Sequence, residues 1–585
     1  MNDLHQSFAA GYASLSAWSD LLDRINVFPV ADGDTGTNLR ISLAPLRNCE
    51  HNRKILPELL ARSATGNSGN IAAAFFREFC QVEGYSDLAE KAASGKAKAW
   101  QAIASPRAGT MLSVFDSLAS VLTGQKDRAA VYIPLSIEMQ DAVRATSQLL
   151  PELKTAGVVD SGALAMYVFF DSFFRHVTQQ TDEPSSILDL FAGKLVINSS
   201  FRPLISDSHC VDVVIQMTDK HAAVQDRIAA MGESVVVVQD EAMLKVHLHT
   251  SDLDLLRGGL GSFGDIVHWS AEEIDQGAAD RYSKPVEKSA LHIVTDAAGS
   301  ITREMARHLG ITLLDSYIIA GDSSRPESLY RPEQIYPLMR NGVKITTAQA
   351  STYERHQHYQ SIAQQFGRSL YLCVGSAFTG NYATATAWKK ENDSDSLLTV
   401  IDTGAASGRL ALIALLTARQ TKRSDNPDEI IEFARKTITD CEEFVFIDEL
   451  KYLVAGGRVS RTSGFFGNLL SMKPVISPTS EGVRKVGVVH SRKGQLAFAI
   501  KKLDKQFERS DAPVVLLQYT DNEQWVKDTV RQQIEALLPE AEILLVPLSL
   551  TSGVHMGPGT WSIAFSTLLL KAGHSNKKSG DSLKL

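Results

Sequence analysis

The 585-residue chain is too long for one hydrophobic core, so we expect three or four domains. Apolar residues make up 44% and charged residues 22%, as in a soluble globular protein, and a net charge of -8 without a sustained basic run argues against nucleic acid as a partner. No apolar run approaches the roughly 20 residues of a membrane-spanning helix, and the N-terminus lacks the pattern of a signal peptide. We therefore expect no transmembrane segment and at most a transient contact with a membrane surface.

The cysteines are few and scattered along the chain: Cys49, Cys80, Cys210, Cys373 and Cys441. Such spacing is typical of a reducing compartment and not of a disulfide framework. Together with the absence of a targeting pattern, it predicts a cytoplasmic protein.

Residues 1 to about 180 are predicted to form an all-α domain. Apolar residues recur there at spacings of three and four, for example in "LSAWSDLLDRI" and "IAAAFFREFCQV", which is the pattern of amphipathic helices. From 200 to 280 the pattern changes to strand, helix, strand, strand, helix, strand. That β-α-β-β-α-β order predicts a ferredoxin-like α+β domain.

From about 290 to 570, short apolar β-rich runs such as "LHIVTD", "SLYLCVG" and "PVVLLQYT" alternate with helical segments. This alternation predicts a parallel α/β sheet, and the length allows two α/β lobes. The remaining residues, 571 to 585, form a polar tail. The predicted molecule is therefore a multidomain protein with an all-α, a ferredoxin-like and a two-lobed α/β part.

The stretch "NVFPVADGDTGTNL" places Asp32 and Asp34 one residue apart among glycines and hydroxyls. Closely spaced oxygen ligands suit a hard cation such as Mg²⁺, and glycines allow the backbone N–H groups to approach phosphate. An Asp/Gly turn that caps a helix explains the same string equally well. Taken alone, the stretch leaves both interpretations open.

Three later stretches also place glycine and a hydroxyl at a predicted helix start: "ATGNSGN", "RAGTMLSVF" and "AGVVDSGALAM". Several such helix starts on one rim would make a phosphate and nucleotide site. The four stretches together resemble the DhaL (Dak2) kinase domain, and in particular the N-terminal domain of bacterial fatty acid kinase A.

That resemblance implies an all-helical barrel that binds ATP and Mg²⁺ at one end. Asp32 and Asp34 would be the catalytic Mg²⁺ ligands, with Asn26 as a third. The resemblance further implies that the nucleotide is surrounded by Thr35, Thr37, Asn38, Ser68, Gly69, Thr110, Met111 and Asp160. Two positions depart from the family pattern, because Thr65 stands where Arg is common and Ser161 replaces a proline.

In the middle domain, His247 and His249 are two residues apart on one predicted strand and so share one face. In a ferredoxin-like sheet, Cys210 at the start of the first strand lies beside the end of this strand. A thiol and two imidazoles form a plausible Zn²⁺ set, and two strand histidines near a buried thiol are the alternative. The segment also resembles the fatty acid kinase A middle domain, which implies a metal at these residues with a structural or interfacial role.

The C-terminal half carries hydroxyls, glycines and one histidine in "TTAQAS", "GSAFTGNY" and "SGVHMGPG". Such groups can bind a carboxylate, although each motif alone also fits ordinary turn chemistry. In this order the motifs resemble the DegV family of fatty-acid-binding proteins. The resemblance implies that Thr347, Ser376 and His555 hold a fatty acid carboxylate, with Arg458 near the pocket mouth.

The combination predicts an ATP-dependent kinase that phosphorylates a fatty acid carried by its own DegV-like domain. The resulting acyl phosphate would pass to an acyl-acceptor enzyme, and we expect the kinase to be a homodimer. Two alternatives stay open. One is a kinase for a small polyol such as dihydroxyacetone, and the other is a lipid-binding scaffold with a degenerate kinase domain.

Overall fold

The computed structural model describes residues 2–125, 127–202, 208–218, 224–240, 242–274, 289–456, 472–566 and 568. Arg458 and the predicted tail lie outside these residues. Among the described helices, none combines the length and the apolar character needed to cross a membrane.

The N-terminal region is helical throughout, as predicted. Its α-helices are α1 (Asn2–Arg24), α2 (Thr35–Leu43), α3 (Cys49–Asn52), α4 (Leu56–Ser63), α5 (Gly66–Phe79), α6 (Leu88–Ala102), α7 (Met111–Gly124), α8 (Tyr132–Leu149), α9 (Pro151–Ala156), α10 (Ser161–Val177) and α11 (Ile187–Leu190). They enclose one apolar core, in which Phe75 stacks on Phe115 at 4.0 Å between ring centroids. A side chain at Gly36 would collide with the carbonyl oxygen of Ser19, so glycine allows α2 to pack closely on α1.

The middle region is a four-stranded antiparallel sheet with two helices. Its elements are β1 (His209–Met217), α12 (Gln225–Ala229), β2 (Glu233–Asp240), β3 (Met243–Thr250), α13 (Leu253–Gly261) and β4 (Gly264–Glu273), and the strand order is β2-β3-β1-β4. Val211, Val246 and other alternate residues form an apolar core on one face, together with Leu256 and Leu260 of α13. The intervening residues of β1 and β3 therefore lie on the opposite face.

The middle sheet is joined to the helical region at its β2 edge. Ile103, just after α6, forms a bridge with Val236, and Ala104 N–H donates to the carbonyl of Val235. Ala74, Ala102 and Val236 form a small apolar cluster at this junction. The polar face of the middle sheet is thereby held against the helical domain.

The C-terminal region contains three sheets. Its strands are β5 (His292–Asp296), β6 (Ile311–Leu314), β7 (Tyr317–Ala320), β8 (Ser323–Pro326), β9 (Ile345–Ala348), β10 (Ser369–Cys373), β11 (Leu398–Asp402), β12 (Glu442–Phe446), β13 (Lys473–Thr479), β14 (Gly482–Val489), β15 (Val514–Tyr519), β16 (Glu542–Pro547) and β17 (Trp561–Ser566). The longer helices of the C-terminal region span Arg303–Leu309, Pro332–Arg340, Thr352–Phe366, Asn381–Asn392, Ser407–Thr421, Pro427–Asp440, Arg492–Gln506 and Leu550–Met556.

The first lobe is built on the parallel sheet β11-β10-β5-β6, as the alternating pattern predicts. The second sheet, β14-β13-β12-β17-β15-β16, corrects the prediction of parallel strands: only β15 and β16 are parallel, and the other neighbours are antiparallel. β13 and β14 are joined by a short turn, which permits only an antiparallel pair. A small sheet, β8-β7-β9, completes the region.

Candidate functional site

A small cleft lies where the helical domain meets the polar face of the middle sheet. Its lining comes from both domains and comprises Asn26, Phe28, Pro29, Val30, Asp32, Asp34, Thr35, Asn38, Gly66, Asn67, Ser68, Cys210, His247 and His249. The two carboxylates predicted to bind Mg²⁺ and the three residues predicted to bind Zn²⁺ therefore share one cleft. From the sequence they were expected to form two separate sites.

Asp32 and Asp34 lie in the loop that leads into α2. Gly33 between them has φ +70°, a conformation that favours glycine. Asn26 Nδ2 donates a hydrogen bond of 2.6 Å to Asp32 Oδ1. Burial raises the pKa of both carboxyls, and the neighbouring charge of Asp32 raises the pKa of Asp34 further. Neither carboxylate forms an ion pair with a Lys or Arg of the described chain, so the pair fits a bound cation.

Two helices begin beside these carboxylates. α2 begins at Thr35 and α5 begins at Gly66, and Thr35 Oγ1 lies 3.2 Å from Ser68 Oγ. Gly66 has φ +64°, and a side chain there would collide with the Asn38 amide. The two helix starts therefore meet closely enough to present backbone N–H groups and hydroxyls to one anion.

Five residues that the resemblance assigned to the nucleotide do not line this cleft: Thr37, Gly69, Thr110, Met111 and Asp160. Each has a local role in the helical domain. Thr37 donates to Asp23 through its N–H and its hydroxyl, at 2.9 and 2.7 Å. Gly69 leaves room for Ser42 of α2, and Met111 lies against Gly162. Thr110 caps α7 and Asp160 caps α10, where Asp160 accepts from Ala163 N–H at 2.7 Å.

Cys210 lies opposite His249 in the antiparallel pair of β1 and β3, which confirms the predicted neighbourhood. One ligand atom from each of Cys210, His247 and His249 lies within 4.8 Å of the others. Burial lowers the pKa of His249 to about 3, so its imidazole is neutral and able to bind a metal. His247 is 1% exposed, and its Nε2 has no hydrogen-bond partner among the described residues. A half-buried thiol, a neutral imidazole and an unpartnered imidazole nitrogen fit a zinc ion.

Two residues of this face were not predicted from the sequence. Asp212 and Lys245 occupy the same faces of β1 and β3 as the predicted ligands, because residues two apart on a strand share a face. His247 Nδ1 lies 3.3 Å from Asp212 Oδ1, and Lys245 Nζ donates to the carbonyls of Ala61 and Ala64. The signal that could have found them is the alternation that places Asp212 two residues after Cys210 and Lys245 two residues before His247.

The structure brings together two of the residues that were predicted to hold a carboxylate. Thr347 Oγ1 on β9 lies 3.1 Å from Nε2 of His555, in the last turn of the helix Leu550–Met556. Ser376 lies on an exposed turn after β10, where its N–H donates to Asp402 Oδ1 at 3.0 Å. Arg458 is outside the described residues, so its predicted place near the pocket mouth stays a prediction.

The small sheet separates the Thr347–His555 pair from the helical domain. Thr347 is paired with Ile318, whose side chain packs with Leu550 and Val554 of the His555 helix. Ala348, one residue on, packs instead against the core of the helical domain. The Thr347–His555 pair is therefore separated from that domain by the thickness of one strand.

Three family models match the chain in succession. A DAK2 domain model matches residues 29–175, a model of the middle domain of fatty acid kinase A-like proteins matches 207–280, and a model described as an uncharacterised protein of the DegV family matches 290–568. Each of the three resemblances found in the sequence is thereby shown.

Curated relatives include uncharacterized proteins of Staphylococcus epidermidis, 27% identical over 358 residues, and of Staphylococcus aureus strain RF122, 26% identical over 348 residues. Each match covers 53% of this chain and 63% of the relative, so the chain spans less than two thirds of their length. Among solved structures, a Thermus thermophilus DegV family protein described for its fatty acid binding is 22% identical, with a TM-score of 0.43, over 48% of this chain and 99% of that chain. DegV of Bacillus subtilis, a fatty acid binding protein, is 19% identical over the same shares, also with a TM-score of 0.43.

Proposed function

We propose that this chain, which joins a DAK2 domain, a fatty acid kinase A-like middle domain and a DegV-family region, transfers phosphate from ATP to the carboxylate of a fatty acid. The observation that carries the proposal is the pair Asp32 and Asp34, two half-buried carboxylates without a basic partner in the described chain, beside two helix N-termini. That arrangement suits the binding of a nucleotide phosphate together with a cation.

In the helical domain, the starts of α2 and α5 would hold the phosphates of ATP. Their N–H groups and the hydroxyls of Thr35 and Ser68 would orient the terminal phosphate for in-line transfer. Asp32 and Asp34 would hold Mg²⁺, with Asn26 orienting Asp32. When bound, Mg²⁺ neutralises phosphate charge and lowers the repulsion that an attacking carboxylate meets.

In the C-terminal region, the hydroxyl of Thr347 and Nε2 of His555 would donate hydrogen bonds to the fatty acid carboxylate. A carboxylate is already ionised at neutral pH, so its attack on phosphorus needs no general base. Burial of the acyl chain would contribute about 0.8 kcal/mol for each CH₂ group. The transfer joins a carboxylate oxygen to the terminal phosphorus, releases ADP and gives an acyl phosphate.

In the middle domain, Cys210, His247 and His249 would hold Zn²⁺ at the edge of the same cleft. Bound zinc stabilises a thiolate and fixes the orientation of its imidazole ligands. We class the sheet as ferredoxin-like, because its strand order β2-β3-β1-β4 and its two connecting helices match that arrangement.

The test is a pair of measurements on the purified full-length protein. Mass spectrometry of the native protein should detect a co-purified fatty acid, and ADP release from MgATP should rise when oleate is added. The proposal would be refuted by a folded protein that carries no fatty acid and releases ADP at the same rate with and without oleate.

A further inference from the structure

We propose that Asp212 is a positioning residue that joins the metal-ligand set of the middle domain to the phosphate turn of the helical domain. The inference rests on the proposed function and assigns a role to a residue outside both predicted ligand sets. Asp212 lies on β1, two residues after Cys210, and its carboxylate reaches across the boundary between the domains.

One oxygen of Asp212 binds the turn that starts α5. Thr65 Oγ1 donates to Asp212 Oδ2 at 3.2 Å, and Gly66 N–H donates to the same atom at 3.1 Å. Asp212 accepts from the N–H of Gly66, which lines the cleft together with the next two residues, Asn67 and Ser68. The carboxylate thereby sets the orientation in which α5 presents its remaining N–H groups to a phosphate.

The other oxygen connects this turn to the metal-ligand set. Asn70 Nδ2 donates to Asp212 Oδ1 at 3.1 Å, and His247 Nδ1 lies 3.3 Å from the same atom. With Nδ1 beside the carboxylate, Nε2 of His247 is the nitrogen left for a metal. Nδ1 of His247 makes no hydrogen bond within the described residues, and we infer that it donates to this carboxylate when a metal is bound at Nε2, which would fix the tautomer and the ring plane of the histidine.

Both oxygens of the Asp212 carboxylate accept hydrogen bonds from the helical domain, Oδ2 from Thr65 and Gly66 and Oδ1 from Asn70. The side chain is 14% exposed, so these interactions take place largely out of water. A negative charge at the start of α5 is also favourable for the helix dipole.

The same geometry explains Thr65. This threonine stands where related kinase domains commonly have arginine, and here its hydroxyl donates to Asp212. The residue therefore belongs to the junction between the phosphate turn and the middle sheet. We expect its hydroxyl to act on zinc binding through this hydrogen bond to Asp212.

The test compares Asp212→Asn with Asp265→Asn, which changes an exposed carboxylate of the same sheet, in the full-length protein. Zinc affinity is measured by competition with a chelator, and MgADP affinity by calorimetry, both without turnover. We expect Asp212→Asn to lower zinc affinity roughly 10- to 100-fold and to weaken MgADP binding at least severalfold. Asp265→Asn should leave both affinities at the wild-type value.

Thr65→Val and Thr65→Ser provide a second test that does not depend on the folding of Asp212→Asn. Thr65→Val removes the hydroxyl and should weaken zinc binding. Thr65→Ser keeps the hydroxyl, so its zinc affinity should stay at the wild-type value. Wild-type affinities in both Asp212→Asn and Thr65→Val would overturn the role of Asp212 and leave the proposed function standing. A wild-type protein that binds neither zinc nor MgADP would instead overturn the proposed function, and this inference with it.

Discussion

Arg40 Nη2 on α2 lies 2.9 Å from Asp315 Oδ2 in the C-terminal region, and their side chains are only 3% and 2% exposed. Asp315 also accepts hydrogen bonds from the N–H and the hydroxyl of Ser328, at 2.9 and 3.0 Å. A buried ion pair between two regions of the chain is unusual, because both charges have been removed from water. It ties the kinase-like domain to the DegV-like region at a point well inside their shared surface.

We predict that Arg40→Met lowers the free energy of unfolding by about 3–5 kcal/mol, because it leaves the Asp315 carboxylate buried without its partner. Removing both charges with Arg40→Met and Asp315→Asn should cost less than the single change. Denaturant unfolding of the two variants measures the difference. The matched control is Arg62→Met, whose partner Glu58 is exposed and whose loss should cost less than about 1 kcal/mol. Equal, small effects of Arg40→Met and Arg62→Met would contradict this account.

We predict that Asp34→Asn abolishes ATP turnover and weakens MgADP binding while leaving fatty acid binding unchanged. Asp34 is the only residue of the cleft that changes, and the Thr347–His555 pair belongs to another region. Asp141→Asn is the control, since Asp141 is exposed on α8 and pairs with Arg144. If Asp34→Asn turned over ATP as fast as Asp141→Asn does, Asp34 would not be part of the active site.

We predict that His555→Ala lowers fatty acid affinity roughly ten- to hundredfold, equivalent to about 1.5–3 kcal/mol for a hydrogen bond to a charged carboxylate. Thr347→Val should have an effect in the same direction, because the two side chains meet at 3.1 Å. MgADP affinity should stay at the wild-type value in both variants. The exposed His490 gives the control His490→Ala. Displacement of a fluorescent fatty acid measures each affinity, and an unchanged value for His555→Ala would place the carboxylate elsewhere.

We predict a pH-dependent difference in stability between the wild type and Asp160→Asn. Burial raises the pKa of Asp160 to about 7, whereas an aspartate in an unfolded chain titrates near pH 4. Between these values the folded protein binds more protons than the unfolded chain at this group, so its contribution to stability falls as the pH rises from about 4 to about 7. Asparagine can still accept from Ala163 N–H but does not titrate. The Tm of Asp160→Asn relative to wild type should therefore increase across this range, and a constant difference would contradict the raised pKa.

Features that depend on local pattern were predicted well from the sequence. The glycines and hydroxyls of "DGDTGTN" and "ATGNSG" mark the starts of α2 and α5, and the alternation of a strand brings Cys210 opposite His249. Both follow from periodicity and from the chemistry of helix starts.

Features that depend on distant residues were not predicted. Asp212 binds Thr65, which is 147 residues earlier, and Arg40 pairs with Asp315 across 275 residues. The second C-terminal sheet was wrongly expected to be parallel, because alternating strands and helices do not determine which strands become neighbours. The meeting of the two predicted metal sites in one cleft likewise results from the docking of two domains.

The most direct test of the central claim is to trap the product. Full-length protein is incubated with MgATP and oleate in the presence of hydroxylamine, and the acyl hydroxamate formed from an acyl phosphate is measured together with ADP. The account predicts hydroxamate and ADP in equal amounts from the wild type, and neither above background from Asp34→Asn. ADP release without hydroxamate, or no oleate-dependent product from a folded protein, would contradict it.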